Sequence, residues 1–291
     1  MFFKQRCQLP VVIPIAIGSH LKLAIGLCLL IFIYLPTAIC QQLSAGKVTY
    51  NLICKIPFAG GAFTTDNLQN IYLYHGNSIK KYTSQGQVLY TYSDKSYGAI
   101  TSIDVNDPMK ILVFYKDFPE IVLLDNTLSQ NGNPFSPSDA GYPFATLACT
   151  SHGNGIWLYD AQNFQLIQLD VNLNSAQKTG NLAQAIDIQL NPDYLMEYNN
   201  YVYLNDSAQG ILVFDSYGTY YKTIPITGLN TFEVRGDDLF YISKNKLHIS
   251  HLKTIMEDAI KPPDTLATEV RVEKNLLYEK YQDTLRVYEI K

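Results

Sequence analysis

The chain has 291 residues, 47% of them hydrophobic and 12% aromatic, with a formal charge of −4. That much apolar side chain excludes a disordered polypeptide, and the acidic balance disfavours general nucleic-acid binding, where clustered Lys and Arg must release counterions from phosphates. Tyrosine contributes 22 residues while only 16% are charged, a mix that suits strands and half-buried sheet faces better than surface helices.

Lys4, Arg6 and Lys22 precede an uncharged apolar run from Leu23 to Leu35, which Pro36 breaks. Ala38-Ile39-Cys40 then places small residues at the −3 and −1 positions before Gln41, so cleavage by a signal peptidase is expected after Cys40. The 18 uncharged residues 23–40 also reach the short end of a spanning helix, so residues 1–40 read as a signal peptide or an uncleaved N-terminal membrane anchor. Those three basic residues are the only charged groups in residues 1–40, so the other 251 carry −7 in place of −4. The leader also holds Cys7, Cys28 and Cys40, leaving Cys54 and Cys149 with no CxxC or HxxxH spacing around them.

Beyond the leader, Val48–Pro57 (VTYNLICKIP) is a strand-like run with no repeat of its own. Six pairs of short strands follow, each pair joined by a polar turn, starting at Ile71, Ile111, Ile156, Val202, Leu239 and Leu277. The separations are 40, 45, 46, 37 and 38 residues, the period of propeller blades. An inner strand is expected upstream of each pair: Phe63–Thr65, Ile100–Val105, Leu147–Thr150, Ile186–Leu190, Phe232–Arg235 and Thr268–Val272. A fourth strand is expected downstream, as at Val88–Tyr92 and Tyr220–Ile226. The turns Thr83-Ser84-Gln85-Gly86 and Asp215-Ser216-Tyr217-Gly218 place Gly where a tight hairpin needs positive φ. Leu252–Ile260 is the only stretch expected to form a helical turn or two.

The sixth unit stops at Lys291 within its third strand, so its outer edge is missing. The run Val48–Pro57 is expected to pair with Leu285–Ile290 and close the ring. The fold class is therefore all-β, a six-bladed β-propeller over residues 47–291 with four-stranded antiparallel blades. Cys54 and Cys149 then fall in different blades, too far apart to bond, and read as buried apolar thiols.

Six repeats of about forty residues, each with a strand pair and a D-x-x-G-like turn, resemble the secreted six-bladed propellers of the NHL-repeat and TolB-like superfamily. The resemblance implies a fold and a habit of binding partners on one face; it implies no reaction. The repeats have diverged, the WD dipeptide of WD40 blades is absent, and the single Trp157 occupies no repeat-wide position.

Function is expected where blade-to-blade loops and the turns between second and third strands gather at one end. The longest such loop, Gln130–Tyr142, offers Phe135 and Tyr142 as contact residues, and Tyr97 adds a third at a loop tip. Asp104, Asp187, Glu233 and Glu269 fall at related inner-strand positions and could gather oxygen ligands for Ca²⁺ or Mg²⁺, although no cofactor is required by the pattern. His75, His152, His248 and His251 have no nucleophile or carboxylate near them in the sequence, and G-x-S-x-G and H-E-x-x-H are absent. Arg235-Gly236-Asp237 reads as hairpin chemistry, and Asn205-Asp206-Ser207 is a glycosylation sequon by pattern.

These features lead to an exported, non-enzymatic binding or scaffold module, periplasmic, cell-surface or secreted. Its partner would be an envelope or extracellular protein or glycan, not nucleic acid, and any membrane contact would come through an uncleaved N-terminal segment. The alternative is a divalent-cation-dependent propeller hydrolase or lyase using channel-end carboxylates.

Overall fold

Each apolar run of the repeat forms the second strand of an antiparallel sheet, and the run beyond its polar turn forms the third. The computed structural model describes residues 48–291 apart from residue 255, and the leader lies outside the described residues. Strand β1 (Tyr50–Pro57) joins the last sheet. Blade one is β2 (Ala62–Thr65), β3 (Ile71–His75), β4 (Ser78–Tyr82) and β5 (Val88–Ser93). Blade two is β6 (Ser102–Asp104), β7 (Ile111–Tyr115) and β8 (Glu120–Leu124); blade three is β9 (Ala145–Thr150), β10 (Ile156–Asp160), β11 (Gln165–Leu169) and β12 (Ser175–Lys178). After the short helix α1 (Leu182–Ile186), blade four is β13 (Tyr194–Tyr198), β14 (Tyr201–Asp206), β15 (Gly210–Asp215) and β16 (Tyr220–Ile224). Blade five is β17 (Glu233–Arg235), β18 (Asp238–Ser243), β19 (Lys246–His251) and β20 (Glu257–Ile260). Blade six is β21 (Glu269–Glu273), β22 (Leu276–Tyr281) and β23 (Thr284–Ile290), completed by β1 in the order β1-β23-β22-β21.

Closure follows the expected register. Tyr50 pairs with Ile290 and Pro57 with Thr284, with one bulge between Leu52 and Cys54. Thr49 and Lys291 extend the ladder, as the Thr49 N–H donates to the Lys291 carbonyl at 3.0 Å and the Lys291 N–H returns a bond at 2.9 Å. An edge that would otherwise offer a row of free N–H and C=O groups is thereby covered.

The middle strands are apolar on both faces because each blade is packed between two neighbours. All five residues of β7 are buried: Ile111, Val113 and Tyr115 pack towards blade one, Leu112 and Phe114 towards blade three. The core is thus a circle of six interfaces. One of them joins Ile71 and Leu73 of blade one to Leu285 and Val287 of blade six. Each such side chain contributes about 1.5–3 kcal/mol on burial, so losing one interface would open the whole ring.

A turn motif recurs between third and fourth strands beyond the two copies visible in the sequence. Oδ1 of Asp125, Asp170 and Asp215 accepts two backbone N–H bonds from the turn that follows, and Thr83 Oγ1 does the same in blade one. The left-handed position is Gly86 (φ 83°) and Gly218 (φ 80°) in two blades but Leu128 (φ 61°) and Leu173 (φ 64°) in the others. The leucines accept that conformation because both pack on the inter-blade core. Much of the acidic surplus is therefore turn chemistry.

Three expectations are corrected. The inner strand of blade four is Tyr194–Tyr198, not Ile186–Leu190, because the Asn199-Asn200 turn brings Tyr198 directly opposite Tyr201. Ile186 instead ends α1, whose first turn is capped by Asn181 Oδ1 accepting from the Gln184 N–H at 2.9 Å. The described residues between Leu252 and Ile260 form no helix, since Glu257–Ile260 pairs with β19 to give blade five its outer strand. Finally, Gln130–Tyr142 is not only a blade-to-blade loop. Its first half runs beside β8, with Phe135 and Ile121 exchanging backbone bonds at 2.8 and 2.9 Å, and so replaces a regular fourth strand in blade two.

Cys54 in blade six and Cys149 in blade three are both free thiols; Cys149 is buried, whereas Cys54 is half-buried with its Sγ donating to the Ser84 carbonyl at 3.6 Å. The sequon is occupied by structure. Asn205 is fully buried, and its Nδ2 donates to Asp193 Oδ1 and the Leu229 carbonyl, both at 2.6 Å. Folded protein made in a glycosylating host should therefore be unmodified at Asn205. Intact-mass measurement before and after glycosidase checks this, and a glycan on Asn205 of folded material would contradict it.

Candidate functional site

Every innermost strand runs towards the same end of the ring, where it turns into the second strand of its blade. Those turns bring together Asn67, Asn106, His152, Tyr198 and Arg235 from five different blades, around the axis. Between the inner strands lies a narrow cavity of about 40 Å³ touching Thr64, Asp104, Tyr194 and Arg271. At its end is an open hollow of about 350 Å³ that shares Asn106 and Arg235 with it and adds Glu197, Asn199 and Asn200. A second hollow of about 210 Å³ lies beside it over Lys110, Thr150 and His152.

The local sequence explains these positions. Asn199 (φ 52°) and Asn200 (φ 64°) form a two-residue hairpin turn with both residues left-handed, the conformation Asn tolerates best after Gly. They follow directly on Glu197 and Tyr198, the last residues of β13.

Glu197 is the centre of the arrangement. Its side chain is only 6% exposed, yet it has four donors. Oε2 accepts from Trp157 Nε1 at 2.6 Å and Ser151 Oγ at 2.8 Å; Oε1 faces His152 Nδ1 at 3.0 Å and the His152 N–H at 3.1 Å. Gln168 Nε2 donates in turn to Ser151 Oγ at 2.7 Å. The imidazole of His152 is 48% exposed and stands at the rim of both hollows. Asn106 Nδ2 reaches the Glu197 carbonyl at 3.1 Å, linking blade two to blade four across the mouth.

On the neighbouring blade five, Arg235 lies between two buried carboxylates. Its guanidinium contacts Glu233 Oε1 at 2.8 Å, and its Nε donates to Glu273 Oε1 at 3.0 Å. Burial pushes the Glu273 carboxyl up to about 7, with Arg235 opposing and the Glu233 charge adding to the rise. The Arg235 guanidinium also stands 5.8 Å from the Tyr198 ring, whose hydroxyl accepts from the Gly236 N–H at 3.0 Å.

The four carboxylates considered as metal ligands do not converge. Asp104 Oδ2 accepts from the Thr150 N–H and hydroxyl at 2.8 and 2.7 Å, tying blade two to blade three, and burial raises its pKa. Asp187 is not on an inner strand at all; it is the left-handed C-cap of α1 (φ 57°). Glu233 accepts the Val272 N–H at 2.6 Å besides its contact with Arg235, and Glu269 sits 3.8 Å from Lys280 Nζ. Among the described residues no three His, Cys, Asp or Glu side chains gather in a metal-binding group.

Of the three contact residues expected from the sequence, Tyr97 and Tyr142 lie on blade-to-blade connections, away from the mouth, and Phe135 on the segment paired with β8; all three are half-buried. Tyr97 packs its ring 5.4 Å from that of Tyr115; Phe135 and Tyr142 both pack on the core between blades two and three. The polar mouth was missed because its parts are dispersed. His152 and Glu197 are 45 residues apart, one repeat, so only the ring closes the distance. His248 with Glu257 and His251 with Asp238 meet closer at hand, as cross-strand pairs within blade five. The Tyr-Asn-Asn-Tyr turn was the one signal the sequence offered.

No protein-family profile and no curated protein matches the chain. Solved structures do resemble it in shape. A catalytically inactive virginiamycin B lyase from Staphylococcus aureus with quinupristin superimposes with a TM-score of 0.54 at 12% identity, over 80% of this chain and 82% of that one. BBS1N in complex with ARL6DN gives a TM-score of 0.52 at 13% identity over 79% and 77% of the two chains. The extracellular domain of a one-component system from B. thetaiotaomicron gives 0.52 at 13% identity, covering 78% of this chain and 32% of that chain. At such identities the likeness establishes the propeller fold alone.

Proposed function

We propose that this chain is an exported propeller of the NHL-repeat and TolB-like kind that binds a protein or glycan of the cell envelope or exterior and carries out no reaction itself. The observation that carries this reading is how the acidic and basic side chains of the mouth are engaged. Glu197 accepts four bonds from the ring, and Arg235 is held by Glu233 and Glu273. A general acid or base has to exchange protons with a substrate, and a nucleophile needs a base beside it. The buried Ser151 hydroxyl instead donates to Glu197, while its distance to His152 Nδ1 is 3.5 Å.

Export is supported by the leader pattern of residues 1–40, and by the likeness to a propeller that is an extracellular domain. A binding role is supported by the likeness to BBS1N, solved with a protein partner. The likeness to a lyase sets the competing reading, a hydrolase or lyase dependent on a divalent cation.

One experiment separates the two. Folded protein is incubated with solubilised envelope from its host, and retained material is released and weighed by mass spectrometry. A binding module returns its partner with unchanged mass, and its Tm is the same with EDTA or Ca²⁺. A partner returned cleaved or with an eliminated group, or a Tm that falls with chelator, would transfer the assignment to the enzyme.

A further inference from the structure

We propose that the hollow at the channel mouth receives the end of a neutral glycan, an assignment that rests on the reading of the ring as a binding module. At about 350 Å³ the hollow is in the size class of small-ligand sites. Its unengaged groups are carboxamides. Asn67, Asn199 and Asn200 are exposed, and their side chains make no hydrogen bond to another described residue. Asn106 spends its Nδ2 on the Glu197 carbonyl and keeps its Oδ1. The half-exposed His152 uses Nδ1 on Glu197, which leaves Nε2 at the rim.

A carboxamide offers a donor pair and an acceptor in one plane. A sugar hydroxyl likewise donates one bond and accepts two. Groups of that kind, repeated around a concave rim, suit a ligand whose surface is a set of hydroxyls.

Charge argues the same way. The one cation of the hollow, Arg235, is already flanked by Glu233 and Glu273, so an anionic ligand finds no free counter-charge. The one carboxylate, Glu197, has its oxygens filled by protein donors, so a cation finds none either. A peptide is disfavoured by shape. Peptides are held by adding a strand to a free sheet edge or by an apolar groove. Here the free edges of the inner strands face one another across a cavity of only about 40 Å³, and the hollow beyond it is lined mainly by polar side chains.

The test uses the full chain as purified, probed with an array of neutral and acidic oligosaccharides and then by calorimetric titration with the best neutral binder. Asn199→Gly with Asn200→Gly removes two carboxamides while Gly keeps the left-handed turn, and Asn67→Ala removes a third from an exposed turn. We expect a neutral binder on the array, weakened roughly 10- to 100-fold by the double variant, as loss of two to three hydrogen bonds implies. Trp157 fluorescence and circular dichroism should stay unchanged, and if the double variant fails to fold, Asn67→Ala alone should still weaken binding. The proposal is overturned if the variants bind like the parent chain, or if only charged glycans or peptides are retained. Retention of an envelope protein without any neutral glycan would refute this assignment and leave the binding module standing; retention of nothing would refute both.

Discussion

Glu197→Ala should destabilise the propeller by about 3–5 kcal/mol, the cost of removing one partner from a buried, charge-assisted network. The carboxylate is the common acceptor for Trp157 Nε1, Ser151 Oγ and the His152 backbone, and the side chain of Trp157 is fully buried. Without it, donors on blade three point into space vacated by blade four. The interface they support also carries Leu147, Leu166, Leu195 and Leu204, so the lost bonds and the loosened packing act on the same contact. Glu197→Gln keeps the volume and one acceptor oxygen but turns an N–H₂ towards existing donors, and should lie between the two.

The measurement is favourable because Trp157 is the only tryptophan in the chain. Its fluorescence during urea unfolding reports on the very side chain that loses its partner, and the midpoint with its slope gives the free energy. Trp157→Phe should cost about 1.5–3 kcal/mol for the hydrogen bond to a carboxylate, and the double variant should cost less than the sum because the two share one interaction; both lack tryptophan, so their urea unfolding is followed by circular dichroism. A Glu197→Ala protein within about 1 kcal/mol of the parent would mean that water or a rearranged loop satisfies the donors, and that the network does not join the blades.

The ring was readable in the sequence because its determinants are local and repeated. Two-faced burial of β7 and β10 makes continuous apolar runs, ILVFY and IWLY, whose spacing counts the blades. The closing strand was readable from what the sixth unit lacked. The inner strands were harder, since β6 and β17 have only three residues each and hold their place through bonds to the next blade. In blade four the apolar stretch at Ile186 imitated such a strand, and only the Asn199-Asn200 turn decides against it. Beyond its Asn199-Asn200 turn, the mouth was not readable as a site, because Asn, His and Glu on separate turns carry no spacing rule. Its partners meet across blades, as Asn106 meets Glu197 over a separation of 91 residues.

Raising the pH from 5 to 9 should weaken the fold, and Glu279→Gln should remove most of that loss. Glu279 is fully buried on β22 between blades five and six, and neither of its oxygens has a hydrogen-bond partner among the described residues. Burial, reinforced by the charge of Asp264, pushes its carboxyl up to about 8. Arg286 pulls the other way, but it is already paired with Asp264 and donates no bond to Glu279. The other groups facing it are the phenols of Tyr50 and Tyr288, both raised by burial, with the Glu279 charge adding to the rise.

The sign follows from proton binding. The native state holds the Glu279 proton up to about pH 8, whereas the unfolded chain releases it near its ordinary value of 4.5. Between these values the native state binds more protons, so stability is greatest below 4.5 and falls as pH rises through 8. The full interval is worth at most about 5 kcal/mol, and relaxation with water entry around a newly charged carboxylate reduces this to about 2–4 kcal/mol. Glu273 acts in the same direction and completes its share near pH 7. Urea midpoints at pH 5, 7 and 9 should therefore decline for the parent chain, more between pH 5 and 7 than between pH 7 and 9, where the folded state itself releases the proton. Glu279→Gln should match it at pH 5, where both side chains are neutral, and exceed it clearly at pH 9. Parallel pH profiles for the two proteins would show that Glu279 ionises freely, and that the contact between blades five and six admits the water its buried oxygens lack.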